Sequence, residues 1–443
     1  MRTPSRERER DAKKKKGTRP SSEAQATANV AEGEREELGS GALFPIVGVG
    51  ASAGGLEAFT QLLAALPRKT GMGFVLVQHL DPNHESALTE ILSRSTSLPV
   101  RKITNDERVR VDHVYVIPPD TTLIIAEGVL KIQRRQRTRA PHRSIDTFFE
   151  SLAQDQRERA VGVVLSGTSN DGMMGLEAIK AEGGITFAQD DSAKHDSMPL
   201  SAVAAGCVDL ILSPADIAKE LVRIASHPYV AGQSLLTSAT TPAQADQVDA
   251  EADGGREEVA ESDKAQDGYK KILRLLRSHS GVDFSLYKPA TIQRRVARRL
   301  VLNNQSTLHD YASFLRGNAK ELDALYSDVL INVTSFFRNP ETFDVLQHKI
   351  LPELLKQRGD DPLRFWVLAC STGQEAYSIA MAFVEAAEKA PRLRELKVFA
   401  TDLSEAMLEK ARRGLYAKSL VADITPTALA AVLCRDGRRL PYQ

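Results

Sequence analysis

Between Phe44 and Ala225, short apolar runs alternate with segments of helical periodicity, and this alternation restricts the chain more than any other feature. Pro45–Val49 reads as a buried strand. Leu56, Phe59, Leu62, Leu63 and Leu66 then recur at helical spacing, with Pro67 just beyond. Phe74–Val77 is the second strand; Val114–Ile117, Val161–Leu165, Ile185–Ala188 and Val208–Leu212 follow. Apolar strands separated by helices predict an α/β fold, a doubly wound parallel sheet with both faces covered.

The rest of the chain divides by composition. Residues 1–42 pair a basic block (Arg6, Arg8, Arg10, Lys13–Lys16) with an acidic stretch (Glu32, Glu34, Glu36, Glu37). They hold too few apolar residues to offset ordering entropy, so a disordered charged tail is expected. No aromatics interleave its lysines, which argues against a nucleic-acid arm. Residues 43–225 form the α/β domain, and residues 226–266, rich in small and acidic residues, read as a flexible acidic linker. Residues 267–319 are expected to be a small helical domain. It includes a helix near Thr291–Leu302 on which Arg294, Arg295, Arg298 and Arg299 share one side. They would either steer acidic partners or form a solvated charged face. In residues 320–443, two helices (Leu322–Ile331, Glu341–Lys356) precede the strand Arg364–Ala369, a Ser-Thr-Gly loop, a helix from Ala376 and the strand Lys397–Thr401. That order predicts a partial Rossmann-like domain.

Composition excludes several classes. Lys+Arg 58 balances Asp+Glu 58, so net charge gives no reason for a nucleic-acid or anionic-membrane partner. Cys207, Cys370 and Cys434 are far apart, without zinc-ligand spacing, so neither a metal site nor a disulfide scaffold is expected. No apolar run approaches the roughly 20 residues that span a bilayer, and no signal-peptide core follows the basic N-terminus. A cytoplasmic protein without membrane insertion is the expectation.

The loop Gly50-Ala51-Ser52-Ala53-Gly54-Gly55 joins a strand to a helix. Gly50-x-Ser52-x-Gly54 matches the sharp turn that exposes a nucleophilic serine, with helix N–H groups nearby for an oxyanion. Gly48-x-Gly50 with Gly54 and Gly55 also fits a dinucleotide-binding turn. That turn wants an acid ending the second strand, where Gln78-His79 stands, with Asp81 further on. His79 and Asp171 each follow an apolar strand, as Ser52 does. Open α/β sheets place their sites at that edge. Ser52, His79 and Asp171 can therefore serve as nucleophile, base and orienting acid. His195, in a polar loop, is the competing base.

These residues, with Val77-Gln78-His79, Leu165–Gly172, Pro118-Pro119-Asp120, His142–Asp146 and Ser197-Met198-Pro199, resemble the CheB family of chemotaxis protein-glutamate methylesterases. The resemblance implies Ser52 as nucleophile, His79 as base and Asp171 as its orienter. It also implies hydrolysis of glutamyl methyl esters on receptor helices, with glutamine deamidation as a related activity. The first 42 or so residues are too few for the family's receiver domain, so phosphorylation of this chain is not expected to control it. Thr168 stands where that family has a Gly-Met-Gly type loop at the oxyanion site.

Further on, Asn332–Arg338, Ser371–Ser378 and Ala400-Thr401-Asp402 resemble the CheR chemoreceptor methyltransferases, and the arginine-rich helix matches that family's helical domain. The resemblance implies S-adenosylmethionine as cofactor. Asn332, Thr334, Arg338 and Glu375 would lie around its methionyl part, and Asp402 on its ribose. Gln374 replaces a common glutamate. Because about forty residues follow Asp402, the expectation is a truncated methyltransferase that binds the cofactor weakly or not at all. The combined reading is a CheB–CheR fusion acting on chemoreceptor cytoplasmic helices, in contact with chemotaxis or histidine-kinase signalling proteins. Two alternatives stand beside it: a non-catalytic signalling scaffold and a dinucleotide-binding oxidoreductase.

Overall fold

The computed structural model describes residues 44–79, 87–134, 143–230, 255–330, 334–357, 361–388, 394–416, 421 and 424. The charged tail, residues 231–254 of the expected linker, Asp81, His142, Asn332 and Cys434 lie outside them.

The first module runs β1 (Ile46–Ala51), α1 (Gly55–Ala64), β2 (Gly73–Gln78), α2 (Leu88–Ser93), β3 (Val100–Lys102), β4 (Glu107–Arg108), β5 (Val114–Val116), β6 (Thr121–Ala126) and β7 (Val129–Arg134). It continues with α3 (Ser144–Gln156), β8 (Ala160–Val164), α4 (Met173–Glu182), β9 (Ile185–Gln189), α5 (Ser197–Ala205), β10 (Leu210–Leu212) and α6 (Pro214–Ala225). Seven strands form one sheet in the order β10-β9-β8-β1-β2-β5-β3. Every pairing in it is parallel. The expected α/β architecture is borne out. Strand order reverses at β1, which therefore marks the switch point where such sheets open a crevice beyond their C-terminal ends.

The two faces of β1 differ. Val47, Val49 and Ala51 pack with Phe59, Leu62, Leu63, Ile217, Leu221 and Ile224 beneath α1 and α6. Gly48 and Gly50 face α3 instead: a Cβ on Gly48 would meet Phe149 at 2.8 Å, and one on Gly50 would meet Ile145 at 2.4 Å. These glycines lie inside the strand and let α3 seat against it. They do not form a dinucleotide turn, which removes the sequence feature behind the oxidoreductase alternative.

The edge strand β3 and a second, smaller sheet are not among the expected elements. β4, β7 and β6 make a small antiparallel sheet outside the main one. Its hairpin turns at Glu127 and Gly128, both with positive φ, as the tight primed turns require. Ser151 Oγ of α3 accepts from the Ile125 amide at 3.1 Å, and Asp155 Oδ2 accepts from the Gly128 amide at 3.1 Å. The hairpin thus braces α3.

The helical module comprises α7 (Gly255–Ser280), α8 (Pro289–Leu302), α9 (Leu308–Leu315) and α10 (Ala319–Val329), packed around Ile272, Leu276, Phe284, Val296, Leu300, Tyr311 and Leu325; the expected boundary at 319 is thereby corrected, because Leu322, Leu325 and Val329 of α10 join this core. The linker reading needs correction at its end, because α7 begins at Gly255. Residues 256–266 contain no proline and many helix formers, so a helix anchored by Ile272 and Leu276 extends through them. His227 and Val230, also assigned to the linker, are buried.

The last region has α11 (Pro340–Val345), a π-helical turn at Leu346–Ile350, α12 (Leu351–Lys356), β11 (Leu363–Leu368), α13 (Gln374–Ala387), β12 (Leu396–Thr401) and α14 (Glu405–Arg413). β11 and β12 pair in parallel, as the Rossmann-like reading requires. One face of the pair is covered through Leu351, Leu355, Phe383 and Phe365. Trp366, Leu368 and Phe399 remain exposed.

Gly50→Ala is expected to push Ile145 out of its seat and destabilise the first module by about 1–3 kcal/mol, the usual cost of overpacking. A thermal unfolding scan of the variant beside the parent chain would show the loss.

Candidate active site

Ser52 follows β1, His79 follows β2 and Asp171 lies in the loop after β8, three neighbouring strands. The sheet brings the three side chains into one line. The Ser52 hydroxyl lies 3.2 Å from His79 Nδ1, and His79 Nε2 lies 2.7 Å from Asp171 Oδ2. An ionised carboxylate accepts only, so Nε2 carries the proton and Nδ1 presents its lone pair to the hydroxyl. That is the arrangement of a serine nucleophile, its base and the acid that orients the base. The ring that meets the Ser52 hydroxyl is that of His79 and not that of His195. The His195 backbone braces the serine loop, its amide donating to Ser166 Oγ at 3.0 Å and its carbonyl accepting from the Gly167 amide at 2.9 Å.

Asp171 is buried and holds its charge through fixed donors. The Ile145 amide donates to Oδ2 at 3.0 Å and the Asp146 amide to Oδ1 at 2.8 Å. Both amides belong to the first turn of α3, where unpaired N–H groups and the helix dipole favour a negative charge. Burial alone would raise the Asp171 carboxyl. The His79 hydrogen bond and the two amides overcome it and hold the group below the usual aspartate range.

Asp146 is a participant that the sequence reading quoted only as part of a motif. Its own carboxylate is buried behind Asp171. It accepts from Arg143 Nε at 3.0 Å and Nη2 at 2.6 Å, and from the Gly175 amide at 2.7 Å. The Asp146 side chain therefore ties the start of α3 to the start of α4, the helices that flank Asp171. Burial, then the nearby charge of Asp171, push the Asp146 carboxyl up to about 7 against the pull of Arg143.

The serine loop is equally constrained. Gly54 has φ 77°, and a Cβ there would meet Ser166 Oγ at 2.6 Å. Only glycine adopts that turn readily at such close quarters. Ser166 Oγ–H donates to the Ala53 carbonyl at 2.8 Å. The Ser52 amide donates to the Ser166 carbonyl at 2.9 Å, and the Gly55 amide to the Ser52 carbonyl at 2.9 Å. The expectation that amides around Ser52 serve an oxyanion is thereby narrowed, since those of Ser52, Gly55 and Gly167 are engaged.

The second set of expected residues gathers around the loop from β11 to α13. Asp402 ends β12. Its Oδ2 accepts from the Ser371 amide at 2.8 Å and its Oδ1 from the Ser404 amide at 2.8 Å. Ser371 Oγ is buried and has no partner among the described residues. Gly373 makes the turn into α13 with φ 95°. Tyr416, absent from the sequence reading, donates its hydroxyl to the Thr372 carbonyl at 2.5 Å and packs edge-on against Phe336 and Tyr377. The Phe337 amide donates to Ser378 Oγ at 2.9 Å, which fixes the segment holding Thr334 and Arg338 beside α13. Glu375, in the first turn of α13, is exposed. The unpartnered Ser371 hydroxyl and the acid at the strand end fit a polar, diol-bearing ligand. Among the described residues, no group of His, Cys, Asp and Glu side chains is arranged to hold a metal ion.

Comparison with known proteins identifies three matching regions. The sequence profile of CheB methylesterase matches residues 47–221. That of the CheR methyltransferase all-alpha domain matches residues 267–330, and that of the CheR methyltransferase SAM binding domain matches residues 332–439. A putative protein-glutamate methylesterase/protein-glutamine glutaminase of Leptospira interrogans is 32% identical over 178 residues, 40% of this chain and 92% of that protein. The chain therefore belongs to the CheB methylesterase family, and it carries CheR-type domains after the esterase module. An uncharacterized 104.1 kDa protein of Rhodobacter capsulatus is 36% identical over 346 residues, 77% of this chain. The chain spans 36% of that relative's length. A solved CheB methylesterase catalytic domain of Thermotoga maritima aligns at 25% identity over 41% of this chain and 98% of its own, with TM-score 0.39.

The site makes a pH prediction. A carboxyl whose folded-state value lies above its unfolded one stabilises fully below the ordinary aspartate range and loses that contribution as pH rises. For Asp146 the loss runs up to about 7. Asp146→Asn should therefore flatten the decline of Tm between about pH 4 and about pH 7. Thermal scans across that range, parent against variant, would settle it; parallel curves would mean that Asp146 is ionised throughout.

Proposed function

We propose that this chain is a protein-glutamate methylesterase acting on the methylated cytoplasmic helices of chemoreceptors. The Ser52–His79–Asp171 relay carries the reading. Ser52 Oγ attacks the ester carbonyl while His79 Nδ1 takes the hydroxyl proton. The imidazolium that forms keeps Nε2–H on the Asp171 carboxylate, which three donors fix in place. The amides of Ala53, Gly54, Thr168 and Ser169 are the nearby candidates for the oxyanion, because those of Ser52 and Gly167 are already engaged. His79 returns its proton to the departing methoxide, and methanol leaves. A water molecule, deprotonated by His79, then opens the glutamyl-serine ester and frees the carboxylate. The same acyl transfer on a glutamine side chain would release ammonia, in keeping with the double name of the Leptospira relative.

The methyltransferase region takes the opposite role on the same class of substrate. Asp402 would hold the ribose of S-adenosylmethionine, with Thr334, Arg338 and Glu375 around its methionyl part; Asn332, assigned with them, lies outside the described residues. When bound, that cofactor supplies an electrophilic methyl group to a glutamate carboxylate. Among the described residues no helix is long and apolar enough to cross a membrane. Work on receptor cytoplasmic helices would place the chain in the cytoplasm.

Methanol release from a methylated chemoreceptor fragment tests the esterase. Ser52→Ala should lower the rate by about 1,000-fold or more, as removal of the nucleophile does in serine hydrolases. Equal release from parent and variant would rule Ser52 out as nucleophile.

A further inference from the structure

Arg295, Arg298 and Arg299 of α8 are neither a free steering surface nor a solvated face. Arg295 and Arg298 meet the esterase module beside the starts of β9 and β10, and Arg299 is held within the helical module. Arg298 is 0% exposed at its side chain. Its guanidinium reaches Asp209 of the esterase, just before β10, and Asp328 of α10 in the helical module. Its Nε donates to the Gly184 carbonyl at 2.9 Å. Asp209 is itself fixed by the Thr186 amide and hydroxyl, both at 2.9 Å, with Lys180 Nζ at 3.3 Å. Arg295 donates to the Lys180 carbonyl at 2.8 Å and to that of Ala181, at the negative C-terminal end of α4. Arg299 pairs with Glu321, which also accepts from Tyr311. Arg294 is the outlier, 3.9 Å from Glu182 at the rim.

Apolar and main-chain contacts join the same seam. Val301 of α8 belongs to the esterase's own buried cluster, with Ile217, Leu221 and Ile224. Arg223 of α6 donates to the Val301 carbonyl at 3.0 Å and to Asn304 at 3.1 Å, and His227 Nε2 donates to the Gln305 carbonyl at 2.9 Å.

A guanidinium stays charged in proteins, so a buried one must keep its carboxylates. Arg298 takes one from each module. Parting the modules would bare Val301 and break the Asp209 pair together. We infer that the arginine face of α8 is an internal docking surface whose partner is the esterase module of the same chain, so that the two modules open as one unit. An acidic receptor helix then cannot use Arg295, Arg298 or Arg299 as its landing site. The inference does not depend on the esterase reading, and its test needs no substrate.

The test alters one module and reads the other. Asp209→Asn keeps size and shape on the esterase side. Native-state hydrogen exchange of the full chain should then show protection in α8–α10 falling by roughly 100-fold or more, the cost of stranding one partner of a buried ion pair. Protection in α8–α10 within about twofold of the parent, the range of an ordinary surface change, would overturn the inference. Should that variant fold poorly, Glu182→Cys with Arg294→Cys, in a Cys434→Ser background, probes the rim without touching the buried pair. Cys207 and Cys370 are buried and leave the new thiols as the reactive ones. Rapid closure of a short bis-maleimide between the modules is expected, and failure to bridge would overturn the seam.

Discussion

A carboxylate 4% exposed has to find its hydrogen-bond donors inside the protein, and the donors that Asp171 finds come from separate elements. His79 hangs from the end of β2, and the amides of Ile145 and Asp146 open α3. For these to converge, β1 must let α3 approach, which Gly48 and Gly50 do. The hairpin β6–β7 must brace α3 from outside, and Asp146 must tie α3 to α4. Much of the first module thus serves to keep one negative charge ionised, dry and aimed at an imidazole. In the proposed mechanism the reactivity of Ser52 depends on that charge through His79.

The sequence showed this arrangement unevenly. Strand ends were legible because buried parallel strands are short apolar runs, and the residues just past them fall at one sheet edge. Ser52, His79 and Asp171 could be named for that reason. Asp146 and Arg143 were quoted only within a motif, since an Asp in the first turn of a helix usually looks like a cap or a dipole partner. The hairpin was missed because Thr121–Ala126 and Val129–Arg134 alternate weakly, with a lone Gly128 to signal the turn. The arginines of α8 were misjudged for a deeper physical reason. Periodicity assigns charged residues to solvent, and only tertiary structure supplies the carboxylates that let a guanidinium be buried. The start of α7 was missed for the converse reason, because a polar helix without an apolar stripe reads as linker until its packed end is seen to anchor it.

The two sites differ in how far the described residues complete them. The esterase relay is assembled from side chains that touch. Around Asp402 the loop, the acid and the aromatic wall of Phe336, Tyr377 and Tyr416 are in place, yet Trp366, Leu368 and Phe399 leave one face of the β11–β12 pair bare. Parallel strands are ordinarily covered on both faces.

The position of α4 carries a consequence for how such chains can be rearranged in evolution. The helix is ten residues long, which puts about 15 Å between its ends. Asp171 precedes one end, and Arg295 and Arg298 grip the other. A recombination event that swapped the helical module for an unrelated one would leave Asp209 without its guanidinium and the last carbonyls of α4 without their cap. The esterase in this chain is therefore not a freely exchangeable cassette. Its cut point lies inside a charged seam rather than at the acidic stretch where composition would draw it.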